Sequence, residues 1–123
     1  MYKGKKILIV DDSQTERMII KEAIKSLQFD VFEAENALEG IQKADEIRPD
    51  LILMDVVMPG MNGFQATKQL SVNDKLKDIP VIMCTSKNQP TDKIWGTRQG
   101  AKAYVVKPVK EEELVDSIKS ILG

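Results

Sequence analysis

The feature that most constrains this chain is an alternation repeated five times. Short apolar runs are separated by amphipathic segments of helical period. The runs are "KILIV" (6–10), "VFEA" (31–34), "LILM" (51–54), "PVIMC" (80–84) and "AYVV" (103–106). Their length and β-branched content predict strands. Most lack a period of two, so both faces of those strands should be covered, as in a parallel sheet.

The intervening segments carry helix signals. Ser13-Gln14-Thr15-Glu16 has the capping-box pattern, and Ile20, Ala23, Ile24 and Leu27 follow at helical spacing. Asn36 is placed to cap a second helix, with Glu39 at its third position and Ile41 and Ala44 facing inward. Residues 63–71 form a third helix, and "SVNDKLKDI" after it reads as a loop. A fourth helix follows Pro90 and Thr91 and ends near Gly100. The fifth begins at Glu111-Glu112-Glu113, acids suited to a helix N-terminus, and buries Leu114, Ile118 and Ile121. The order βαβαβαβαβα with right-handed crossovers predicts a doubly wound α/β domain. Half of a (β/α)8 barrel is the competing architecture, but five units close more economically as an open sheet.

Composition narrows the function classes. A chain of 123 residues suits one domain, 1–123, able to bury a core without disulfides or metals. With 42% apolar and 30% charged residues, disorder is not expected. A net charge of -1 argues against a non-specific nucleic-acid binder. The single Cys84 lies in an apolar run and reads as a small buried hydrophobe. The N-terminal apolar run is too short for a signal peptide, and no run approaches membrane-spanning length. The expectation is a soluble cytoplasmic protein with no membrane insertion.

Ligands of open α/β sheets bind beyond the C-terminal ends of the strands. There the runs end in Asp11-Asp12, Asp55, Thr85-Ser86 and Lys107-Pro108. Singly, these have ordinary explanations: Asp11-Asp12 with Ser13 can cap a helix, and a lysine before proline is usually a solvated turn residue. Together they place three carboxylates, a hydroxyl and an ammonium on one sheet edge. Two carboxylates 4 Å apart repel by about 4 kcal/mol at a near-surface dielectric. A hard divalent cation removes that repulsion, and Mg2+ suits a few carboxylates plus a phosphoryl oxygen. These are the parts of a phosphoryl-transfer site, whose catalysis is mostly positioning and charge neutralisation. Asp55 should then stand at the open end of its strand, its charge met by a cation and a lysine.

The pattern "ILIVDDS…LILMDVVMPGMNG…PVIMCTS…GAKAYVVKP" resembles the receiver domain of two-component response regulators, the CheY-like fold, from Lys6 to Leu122. The resemblance implies a strand order of 2-1-3-4-5. It implies that Asp55 accepts a phosphoryl group from a histidine kinase or phosphotransfer domain. Asp12, with Asp11 through water, would bind Mg2+, and Asp55 and the backbone carbonyl of Val57 would complete the protein ligands. Thr85 would be the switch hydroxyl, Lys107 the lysine paired with the phosphoryl group through a cis Lys107-Pro108 bond, and Tyr104 the aromatic switch. Positions 57 and 87 tune hydrolysis in the family; here they are Val57 and Lys87. Output would pass to a partner through the fourth helix, fifth strand and fifth helix. No output domain is expected after the fifth helix.

A narrower resemblance lies in "TSKNQPTDKIWGTRQGAKAY" and "MNGFQATKQL". It is similar to PilH-type regulators of type IV pilus chemotaxis systems, which govern twitching motility or phototaxis. A phosphate sink for a second regulator and a phosphorylation-independent scaffold are the alternatives. An aspartate-based phosphatase would need a second aspartate at position 57, where valine stands. Trp95 reads either as partial packing or as an anchor at a partner surface. Gly96 beside it lowers helix propensity and marks that helix as easy to shift.

Overall fold

The computed structural model describes residues 1–123. Five strands and five helices alternate as the pattern requires. They are β1 (Lys6–Val10), α1 (Gln14–Ile24), β2 (Asp30–Ala34), α2 (Ala37–Ile47), β3 (Leu51–Met54), α3 (Gly63–Ser71), β4 (Val81–Thr85), α4 (Pro90–Arg98), β5 (Ala103–Val106) and α5 (Glu111–Leu122). All strand pairs are parallel, in the order β2-β1-β3-β4-β5. The open doubly wound sheet is therefore the architecture, and the barrel alternative falls.

Strand geometry divides one apolar run between two cores. Successive side chains point to opposite faces. Leu8, Val10, Ile52, Met54 and Met83 thus join the cluster beneath α2, α3 and α4. Ile7, Ile9, Leu51, Leu53, Ile82 and Cys84 join Ile20, Ile24, Leu114 and Ile118 on the opposite face. Every residue of β3 and β4 is buried, which explains why their sequences show no alternation. Each fully buried leucine or isoleucine contributes about 1.5–3 kcal/mol, so a Leu53→Ala change would cost about 2–5 kcal/mol. β2 lies at the sheet edge, and its first residues are exposed.

Local signals hold the helix starts. Ser13 Oγ accepts from the Glu16 amide at 3.2 Å, and Asn36 Oδ1 accepts from the Glu39 amide at 2.8 Å. At α3 the box is reciprocal: Asn62 and Gln65 each accept from the other's amide at 2.9 Å. Such caps are worth about 1 kcal/mol each. The loop after α3 is made of turns, but it drives Leu76 fully into the core. No helix is long and apolar enough to cross a membrane.

α4 is the exception to good seating. Only Gly96 is buried along its length, while Ile94 and Trp95 are exposed. Gly96 is there for close approach. A Cβ at 96 would lie 3.2 Å from the Tyr104 ring and 3.4 Å from Met83. The glycine read as a source of looseness is also where α4 touches the sheet.

Candidate functional site

Register brings the strand ends together. Val10 pairs with Met54, and Thr85 pairs with Val106. The residues that follow, Asp11, Asp55 and Lys107, therefore leave the sheet at one edge. Each of Asp11, Asp12 and Asp55 offers a carboxylate oxygen, and these oxygens lie within 4.8 Å of one another. A donor set of hard oxygens at this spacing fits a divalent cation.

The three acids sit in different environments. Asp12 is exposed. Asp11 is buried and fully engaged: Oδ1 accepts from the Ser13 amide at 2.9 Å, and Oδ2 accepts from Lys107 Nζ at 2.6 Å. Asp55 is only 6% exposed. Its Oδ1 accepts from the Val56 amide at 2.8 Å, and its Oδ2 stands 3.6 Å from Lys107 Nζ. This refines the picture of an acid outside the core. Asp55 is at the end of its strand, yet it is buried there, and Lys107 lies closer to Asp11.

The electrostatics follow. Burial pushes the Asp55 carboxyl above the usual carboxylate range. The Lys107 ammonium opposes the rise, Asp11 adds to it, and the Thr85 hydroxyl and Val56 amide oppose it. For Lys107, burial works against the ammonium, but the Asp11 hydrogen bond and the charges of Asp55 and Asp11 outweigh it and raise its pKa. One ammonium is thus shared between two carboxylates, leaving negative charge unmet at Asp55. Such perturbed groups at a strand-end edge are the signature of a functional site.

The remaining predicted residues surround this centre. Thr85 is completely buried, and its Oγ1 accepts from the Lys87 amide at 3.3 Å. Tyr104 is half-buried against Gly96, and its hydroxyl donates to the Lys87 carbonyl at 2.7 Å. Burial first, then Asp92 and Asp55, pushes the Tyr104 phenol up to about 12. The phenol is therefore a neutral donor at physiological pH. The Val57 side chain is 55% exposed, two residues beyond Asp55. The Lys107-Pro108 bond is cis.

Trp95 is 50% exposed. It lines a groove of about 720 Å³ between α3 and α4, opposite Met61, Phe64 and Lys68. None of the three acids lines this groove; Asp12 lines a separate cavity with Glu35 and Asn36. Met58 is buried, so the loop after β3 is held by apolar contact as well as by the α3 cap.

Two residues with clear roles were not singled out by the sequence reasoning. Gly63 opens α3 beside the end of β3, where a Cβ would stand 1.8 Å from the Asp55 carbonyl oxygen. Arg17 is buried, and its guanidinium donates to the Asp11 carbonyl at 2.6 Å. A glycine one residue after an N-cap and a lone basic residue in the first turns of α1 were the available signals.

Comparison with known proteins points the same way. A response regulator receiver domain model matches residues 7–119. Protein PilH of Pseudomonas aeruginosa is 49% identical over 96% of this chain and 98% of its own length. Chemotaxis protein CheY of Listeria monocytogenes is 36% identical over 93% of this chain and 95% of its own. Among solved structures, a putative response regulator from Chloroflexus aurantiacus superposes with a TM-score of 0.92 at 31% identity, covering 98% of each chain. A family match across nearly the whole chain, in the order of its motifs, leaves one assignment: the chain belongs to the response regulator receiver domain family.

Proposed function

We propose that the chain accepts a phosphoryl group on Asp55 from a phosphohistidine, borne by a histidine kinase or phosphotransfer domain, in a Mg2+-dependent reaction. The observation that carries this reading is the convergence of Asp11, Asp12 and Asp55 within 4.8 Å, with Lys107 Nζ 3.6 Å from the Asp55 carboxylate. Asp11, Asp12 and Asp55, with the Val57 carbonyl, are the residues to hold Mg2+. When bound, the cation supplies neutralisation of the developing charge on the phosphoryl oxygens.

The chain's own residues carry the rest. An Asp55 carboxylate oxygen attacks phosphorus, an O–P bond forms and the N–P bond breaks. The electron pair returns to the imidazole of the donor. Lys107 pairs with a phosphoryl oxygen, and Thr85 turns its hydroxyl to another. The acyl phosphate adds charge and acceptor oxygens at the sheet edge. Thr85 and Lys87 move with it, and Tyr104, which is tied to the Lys87 carbonyl, changes its place against Gly96. The face of α4, β5 and α5 then signals to a protein partner. The phosphate biases a two-state equilibrium through contacts that differ between the states.

Identity to PilH across nearly the full length of both chains supports a setting in type IV pilus motility control, in the cytoplasm. Incubation with Mg2+ and a small acyl phosphate, followed by intact mass, tests the chemistry. The wild type gains one phosphoryl group and Asp55→Ala gains none. An unmodified wild type, or an equally modified variant, removes the reading.

A further inference from the structure

A buried arginine sits behind the acid cluster, and the reaction described above gives it no task. Arg17 is 7% exposed, on the inner face of α1. A guanidinium taken out of water is costly unless its donors are met. Here one nitrogen donates to the Asp11 carbonyl at 2.6 Å, and Nε donates to Glu33 Oε1 at 2.8 Å. The third nitrogen lies 3.9 Å from Glu35. Glu33 is held in turn, since Lys21 Nζ lies 3.0 Å from its Oε2 and Lys43 donates to its backbone carbonyl. The fork is therefore clamped from β2, α1 and α2.

What it holds is specific. The Asp11 carbonyl belongs to the peptide plane that joins Asp11 to Asp12. The Asp11 amide already donates to the Ala34 carbonyl at 3.1 Å, as an extension of the β1–β2 ladder. With its carbonyl fixed by Arg17, that plane cannot rotate, and the direction in which Asp12 leaves the strand is set. Without Arg17, the carbonyl loses a charge-assisted partner, and the plane keeps only the indirect restraint of the Ser13 amide on Asp11 Oδ1 at 2.9 Å. Asp12 is exposed and bonded to no side chain that would hold it instead.

We infer that Arg17 is a positioning residue for the cation site: through the Asp11 carbonyl it aims the Asp12 carboxylate at the space shared with Asp55. This rests on the receiver-site reading above. Groups that orient metal ligands in this way commonly change affinity by about 10–100-fold when removed. Lysine at 17 would keep the charge but not the planar fork that serves Glu33 and the Asp11 carbonyl together.

The test is Mg2+ affinity by isothermal titration calorimetry on the unphosphorylated chain, alongside its melting temperature in EDTA. Arg17→Met is expected to weaken Mg2+ about tenfold or more, and Arg17→Lys by less. Lys21→Met loosens Glu33 without touching the Asp11 carbonyl, and should leave affinity within about twofold. Unchanged affinity in a folded Arg17→Met chain overturns the inference. So does Lys21→Met weakening Mg2+ as much as the arginine variants, because that is the pattern of general destabilisation. If Arg17→Met does not fold, Arg17→Lys decides alone: affinity equal to wild type overturns the inference. A wild type that binds no Mg2+ overturns the receiver-site reading itself, and is distinguishable because every variant is then silent too.

Discussion

The acid cluster has two unlike flanks. On the side of β2 and α1, Arg17, Glu33, Lys21 and Lys43 tie three elements together with charged hydrogen bonds. On the side of α4 the ties are weaker: Gly96 against the Tyr104 ring and Met83, a Lys87–Asp92 ion pair at 4.0 Å, and the phenol hydrogen bond from Tyr104 to the Lys87 carbonyl. The first flank is built to stay in place, and the second to move. Local stability follows buried apolar contact, and α4 has the least of any helix. Under the proposed function, a phosphoryl group at Asp55 would have a fixed frame to push against and a loosely seated element to displace.

The same substitution made at the acid edge and on α4 gives the largest contrast. Gly63→Ala places a Cβ 1.8 Å from the Asp55 carbonyl oxygen, which is backbone and cannot step aside. It should cost about 3 kcal/mol or more in urea denaturation. Gly96→Ala meets side chains alone, the Tyr104 ring at 3.2 Å and Met83 at 3.4 Å, and gains about 1 kcal/mol of helix propensity. Its net effect should be small. An equally large loss at Gly96 would mean that α4 is seated as rigidly as the loop after β3.

The charge left unmet at Asp55 makes the second contrast. Its pKa is raised by burial, so the folded state holds that proton more readily than the unfolded chain. Ionised Asp55 then subtracts from stability, and the deficit appears as pH rises through the usual carboxylate range. Without metal, Asp55→Asn should melt at a higher temperature than the wild type at neutral pH. Mg2+ at a hundredfold above its Kd should add about 2.7 kcal/mol to the wild type, and less to the variant. Scanning calorimetry with EDTA and with Mg2+ checks both. A variant less stable than the wild type in EDTA would show that Asp55 is paid no such penalty by its burial.

Val57, exposed two residues beyond Asp55, tests the lifetime of the proposed acyl phosphate. A valine cannot hydrogen-bond a water attacking the acyl phosphate. Val57→Asn should shorten the phosphate half-life about fivefold, the worth of one hydrogen bond near 1 kcal/mol. Loss of phosphate followed by intact mass after donor removal gives the rate, and an unchanged half-life would remove Val57 from the list of tuning positions.

Most of the fold was legible because the strands, the edge strand β2 with its Glu33 apart, are apolar runs, and the helices carry start signals such as Ser13 or Asn36. The acids and Lys107 were legible because a parallel sheet puts every strand end on one edge. What escaped depended on facts that have no period. Asp55 was expected at an open end, but its burial is set by the neighbouring strands and loops. Lys107 was expected to serve Asp55, but a 2.6 Å contact gives it first to Asp11. Leu76 lies in a run of polar residues that reads as loop, and it is drawn inward by tertiary packing. Arg17 carries no signal of burial in the sequence, and its place depends on α1 facing it toward Glu33 of β2.

The smallest expected effect lies in the charged flank, and it distinguishes a clamp from a passive salt bridge. The hydrogen bond from Lys21 holds the Glu33 carboxyl below the usual range; burial opposes this, and Arg17 adds to the lowering. A depressed pKa means that the folded state gives up that proton more readily than the unfolded chain. The stabilisation is fully present above the ordinary glutamate value of about 4.3 and is lost as pH falls through the lower folded value. Glu33 is part-exposed, so water screens the pair and the contribution stays below about 1 kcal/mol. Glu33→Gln should thus be slightly less stable than the wild type at neutral pH, and the two should converge in acid. Urea denaturation at both pH values measures the gap. A gap that persists in acid would mean that Glu33 acts by shape and neutral hydrogen bonding, and that the frame opposite α4 does not depend on charge.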